Sequence, residues 1–133
     1  MSLRWYTTVI DCHDVGALSR WWAEAIGWKP VYEADDEVVL VPSHVTEELL
    51  AATPWDEIGP GLVFVRVPDD KTVKNRLHID LAPHTDDDRD AEIERLLAMG
   101  ATRVDIGQSA NATWDVFLDP EGNEFCVLSS RAT

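Results

Sequence analysis

The sequence predicts an α+β protein built from two copies of a strand–helix–strand–strand–strand unit, one over about residues 4–67 and one over about 76–131. Three observations carry this. Two runs of apolar residues follow the 3.6-residue helical period, and each is preceded by a β-rich stretch. Each is followed by three further short runs with strand character. The helical segments "ALSRWWAEAIGWKPV" and "AEIERLLAMGATRVD" occupy matching places, although few residues are identical. Neither unit can bury a sheet face alone. The expected arrangement is a mixed β-sheet, formed by the two modules together, that makes a cupped surface with the helices outside.

The elements follow in order. "RWYTTVIDC" (4–12) is rich in β-branched and aromatic residues and reads as a strand. Asp14 caps a helix on which Leu18, Trp21, Trp22, Ala25 and Ile26 form one apolar stripe, and Gly27 ends it. "WKPVYEA" and "DEVVLVP" are strands joined by a turn at Ala34–Asp36. The stretch 44–61 is an irregular excursion with a short helix around Val45–Ala52, and "LVFVRVP" is the fourth strand. "DDKTVKN" is a polar connector. The second unit opens with the strand "RLHIDLA". Thr85 is expected to cap the next helix, with Asp86, Asp87 and Asp88 in its first turn and Ile93, Leu96 and Leu97 as its stripe; Gly100 ends it. "ATRVDIG", "TWDVFLD" and "EFCVLSS" are the remaining strands, the last two joined by the turn "PEGN".

Bulk properties bound the function. The 133 residues suit one domain, 1–133, with a single core. The formal net charge of −14 argues against nucleic-acid binding, which needs clustered Lys and Arg, and is compatible with a cationic ligand. No apolar run approaches the roughly 18 residues of a membrane span. The N-terminal stretch does not read as a signal peptide, so a cytoplasmic location is expected. Cys12 and Cys126 lie in apolar strand patterns and are expected to be reduced and buried.

With "HID" opening the second unit and "DPEGNEFCVL" closing it, the doubled βαβββ pattern resembles the vicinal oxygen chelate superfamily. That group includes glyoxalase I, bleomycin-resistance proteins and extradiol dioxygenases, and the nearest likeness is to short bacterial glyoxalase-like proteins. The resemblance covers nearly the whole chain. It implies a small-molecule site in a cup between the modules, a homodimer, and metal ligands on the first and last strand of each module.

Carried over position by position, that pattern is met only at His78. Thr7 stands where the first module has a histidine, Cys126 stands where the second has a glutamate, and "GLVFVRV" holds no carboxylate. No metal is therefore expected. If a divalent ion is held, its donors are His78, Cys126 and Glu124, the last two residues earlier on the same strand face. His78 becomes the candidate catalytic group, with Asp80 beside it to set its tautomer. Thr7, Trp5, Phe64, Arg76, Asp80, Trp114, Glu124 and Cys126 are the candidate ligand-contacting residues. Arg76, with Lys71 and Lys74, forms a local basic patch suited to an anionic group. The expected function is a glyoxalase-like protein binding a small molecule around His78, with lyase or isomerase chemistry. The alternative is a non-catalytic protein that sequesters a cationic, antibiotic-like ligand.

Overall fold

A computed structural model describes residues 3–105, 107 and 110–133. The chain divides into two compact units, Met1–Asp69 and Asp70–Thr133. Their described residues hold two four-stranded mixed sheets and three α-helices, the α+β class expected.

In the first unit, β1 (Thr7–Cys12) leads into α1 (Val15–Ile26), followed by β2 (Trp28–Glu33) and β3 (Glu37–Pro42). A short α2 (Glu47–Ala52) and a 3-10 turn at Trp55–Glu57 precede β4 (Gly61–Arg66). The strand order is β1-β4-β3-β2, with β1 parallel to β4 and the other pairs antiparallel. α1 begins where expected: the Asp14 carboxylate accepts from the Ala17 amide at 3.0 Å. It ends at Gly27 in the left-handed conformation, φ 69°. Asp14→Ala should therefore lower stability by about 1 kcal/mol in urea titration, the usual worth of an N-cap.

The predicted stripe is buried through Leu18, Trp21, Trp22 and Ala25, and the two indoles meet edge to face at 5.2 Å. The register aligns Ile10 with Phe64 and Phe64 with Val38, so these residues share one face of the sheet. Phe64 and Val38 on that face are buried. Thr7, Val9 and Asp11 share the other face with Gly61, Val63 and Val65. The register of edge strand β2 slips between Pro30 and Tyr32, where proline cannot donate to the ladder.

The second unit repeats the topology. β5 (Ile79–Leu81), α3 (Arg89–Ala98), β6 (Thr102–Arg103), β7 (Asp115–Leu118) and β8 (Glu124–Val127) form a sheet of order β5-β8-β7-β6. The expected strand over 101–107 shrinks to β6, and its Ile106 lies outside the described residues. β5 is likewise only three residues long. The cap of α3 moves from Thr85 to Asp88, whose carboxylate accepts from Ala91 N–H at 3.2 Å. The reason is local. The Thr85 amide donates to Arg131 O, Asp87 N–H donates to His84 O and Asp86 N–H donates to His84 Nδ1. Residues 84–87 thus form a turn fastened to the C-terminal segment. The first-turn acids are Asp90 and Glu92 instead of Asp86–Asp88.

Ile79, Phe125, Phe117 and Arg103 align across the strands on one face, where Phe117 and Phe125 stack at 5.7 Å and Arg103 lies over the Phe117 ring. Arg89, the first residue of α3, donates to Val127 O and Leu128 O and pairs with Asp115 at 3.0 Å.

Candidate functional site

The second sheet sorts its residues by alternation. Asp80 aligns with Cys126, Cys126 with Val116, and Glu124 with Leu118. These residues therefore share the face opposite Phe117 and Phe125. β8 is buried along its whole length, so this face is closely covered at its centre and opens toward β5. His78 stands immediately before β5, and its Nε2 lies 3.2 Å from Asp80 Oδ1. Asp80 thus lies beside the ring, as the "HID" spacing leads one to expect. Both side chains are partly exposed, at 39% and 46%.

Cys126 completes the group. One ligand-type atom from each of His78, Asp80 and Cys126 can be chosen so that all three lie within 4.8 Å of one another. Burial pushes the Cys126 thiol up, the charge of Asp80 and its hydrogen bond push the same way, and Lys74 opposes them. The protonated thiol is thereby favoured, and Cys126 presents a small polar donor toward Asp80.

Glu124 has a different employment. Its Oε1 accepts from Lys71 Nζ at 2.8 Å and its Oε2 accepts from the Asn75 amide at 2.9 Å. Lys71 also donates to Val73 O. The segment 71–75 is thereby strapped onto the sheet, which is why it belongs to the second unit rather than to a free connector. Burial alone would raise the Glu124 carboxyl, but the hydrogen bonds from Lys71 and Asn75 and the charge of Lys71 outweigh it and hold it below its ordinary value. Nothing in the local sequence pairs Lys71 with a residue 53 positions away; a lone basic cluster in an acidic chain was the only signal.

The remaining candidates are distributed. Thr7 is half-buried on the open face of the first sheet, and Trp5, 68% exposed, donates from Nε1 to Thr7 O at 3.2 Å. Phe64 is 0% exposed on the opposite face, aligned with Ile10 and Val38; it is a core residue of the first unit. Arg76 is exposed in the bend before His78. Trp114, half-exposed, immediately precedes β7. The structure thus gathers His78, Asp80 and Cys126, places Glu124 on the same face but engaged with Lys71, and keeps Phe64 inside the first core.

The donor chemistry decides whether a divalent ion fits. A tetrahedral zinc with bonds of about 2.0–2.3 Å keeps its donors roughly 3.3–3.8 Å apart. The His78–Asp80 separation of 3.2 Å and the 4.8 Å span of the group need only small side-chain movement to reach that spacing. Imidazole, carboxylate and thiol together fit a borderline-soft ion. They differ from the set expected from the sequence because Glu124 is held by Lys71 and Asp80 takes its place.

The Glyoxalase-like domain model matches residues 7–128, nearly the whole chain. The chain belongs to this family. Solved structures with the same fold include a glyoxalase/bleomycin resistance protein/dioxygenase family enzyme from Burkholderia phytofirmans PsJN. This glyoxalase-like chain is 15% identical to it, with 97% of this chain and 100% of that one covered and a TM-score of 0.70. A glyoxalase-related enzyme from Fulvimarina pelagi is also 15% identical, with coverage of 94% and 86% and a TM-score of 0.64. The fosfomycin resistance protein FosX from Listeria monocytogenes, complexed with Mn(II) and sulfate, is 12% identical, with coverage of 98% and 92% and a TM-score of 0.67. At these identities the likeness is one of fold. No curated protein matches the chain. No helix among the described residues is long and apolar enough to cross a membrane.

Proposed function

We propose that this glyoxalase-like protein binds a small molecule carrying adjacent oxygen atoms at the Cys126 face of its second sheet and acts on it as an isomerase or lyase. The observation that carries this reading is the His78–Asp80 pair at 3.2 Å beside the buried Cys126 thiol. An imidazole that donates from Nε2 to a carboxylate keeps its other nitrogen free as an acceptor. His78 Nδ1 can then take a proton from the carbon or oxygen of a bound hydroxycarbonyl compound and return it to the neighbouring atom. Asp80 steadies the charge that the ring acquires. Where His78, Asp80 and Cys126 instead hold a divalent ion, His78 would serve as a ligand in place of that base and the ion would supply Lewis acidity toward the bound molecule's oxygens.

Thermal-shift measurements across α-hydroxycarbonyl compounds, vicinal diols and cationic glycopeptides test the reading. An α-hydroxycarbonyl compound or diol at about 100 times its Kd should stabilise the chain by about 2.7 kcal/mol. His78→Gln should remove that shift while leaving the unliganded melt unchanged. A shift with the glycopeptides alone, retained in His78→Gln, would instead support sequestration of a cation by the acidic chain. The absence of any shift at high excess removes both.

A further inference from the structure

We propose that residues 71–76 form a strap over the Cys126 face of the second sheet, latched by Lys71 and Asn75 on Glu124, and that its opening admits a small molecule to that face. The role in admission rests on the preceding reading of the site, whereas the opening is tested on the chain without any ligand.

The latch is polar and converges on one carboxylate. Glu124 stands two residues before Cys126 on β8 and so shares its face. Both Glu124 oxygens are engaged by the strap, Oε1 by Lys71 Nζ at 2.8 Å and Oε2 by the Asn75 amide at 2.9 Å. Lys71 Nζ also donates to Val73 O at 2.7 Å, which folds the strap back on itself between the two anchors. Lys74 lies between the same anchors in the chain, and its charge acts on the Cys126 thiol. The strap therefore runs past Glu124 toward Cys126.

The hydrophobic effect does not hold the strap closed. From Pro68 to His78 no residue is buried, and Asn75 is the one that is half-buried. Val73 and Leu77 stay in water at 75% and 89% exposure. Among the described residues, the backbone of 71–76 makes no backbone–backbone hydrogen bond. A segment with few buried apolar contacts belongs to the low-stability end of a structure, so the bonds to Glu124 set the balance between closed and open. The ends are fixed. Val67 N–H donates to Cys12 O and His13 Nε2 is hydrogen-bonded to Asp69 O at 2.8 Å, while Ile79 enters β5 opposite Phe125. Opening thus moves exposed residues between two anchored ends and leaves the strand pairs intact. It also frees the Glu124 carboxylate on the face that carries Asp80 and Cys126.

The test labels Cys126 with a maleimide in the full chain, with chelator present and Cys12→Ala introduced to remove the other thiol. Cys126 is 4% exposed, so labelling reports opening. Below the unfolding midpoint the rate should be nearly flat in urea, because releasing a strap uncovers little surface and global unfolding uncovers much. Lys71→Met should raise the rate by about tenfold or more, the weight of a hydrogen bond to a charged group. Removing a nearby cation disfavours the thiolate and by itself slows labelling, so acceleration reads access. Lys71→Arg keeps a cationic donor and should stay within about threefold of the parent. Exchange of the Asn75 amide, followed by NMR, should quicken in Lys71→Met by a factor similar to that of labelling. A rate that climbs in urea with the slope of global unfolding, or one that Lys71→Met leaves unchanged, overturns the proposal. So does faster Asn75 exchange without faster labelling, which puts the strap beside Cys126 and not over it. If opening is observed and no small molecule shifts the melt, the role in admission falls with the preceding reading and the latched strap stands.

Discussion

Replacing Asp119 by alanine is expected to destabilise the protein by about 2–4 kcal/mol, because several donors are stranded at once and each unsatisfied buried group costs about 1–3 kcal/mol. Asp119 is 3% exposed at the start of the "DPEGN" turn between β7 and β8. Its Oδ1 accepts from the amides of Glu121 and Asn123, and its Oδ2 accepts from Asn123 Nδ2. The turn closes with Gly122 N–H donating to Asp119 O, and Gly122 sits at φ 85°, where a side chain is strained. Asp119→Asn keeps one acceptor oxygen and should lose less than half as much. Denaturant midpoints at constant slope read both effects, and an alanine variant within about 0.5 kcal/mol of the parent would refute the account.

Lys71→Met should cost about 1–3 kcal/mol at neutral pH, the range for a hydrogen bond to a charged group plus the exposure of a poorly compensated buried carboxylate. The double variant Lys71→Met with Glu124→Gln should recover much of that loss, since it removes the orphaned charge while keeping an acceptor for the Asn75 amide. The pH dependence has a definite sign. The Glu124 carboxyl lies below its ordinary value, so its contribution is present above that ordinary value and is lost as pH falls through the lower, folded one. The difference between the parent and Lys71→Met, measured with chelator present, should therefore close on acidification. A gap that widens below pH ~4 would contradict the pairing.

The fold was legible because its signals are local. The Asp14 cap, the Leu18–Trp21–Trp22–Ala25 stripe and the Gly27 stop all act within a few residues, and all three are met. The repeat was readable from element order alone. The misplaced cap at Thr85 shows the limit: its amide is claimed by Arg131, far along the chain, and local pattern carries no trace of that bond. The same applies at the site. His78 and Asp80 share a face by spacing, and that was readable. Asp80 facing Cys126 depends on the register of a parallel pair, which a strand of three residues does not specify by pattern. Phe64 sits one residue away from the face that was sought, and a shift of one position along a strand exchanges core for site.

That period of two has an evolutionary consequence. On β8, Phe125 and Val127 serve the core, while Glu124 and Cys126 serve the other face. Mutational drift at His78 and Asp80, both partly exposed, can thus vary the chemistry of that face while the stacked phenylalanines stay constant. A combinatorial library at those two positions should retain a larger share of foldable clones than one at Phe125 and Cys126, both buried. The glyoxalase-like scaffold separates heredity of shape from heredity of chemistry at the resolution of a single peptide bond.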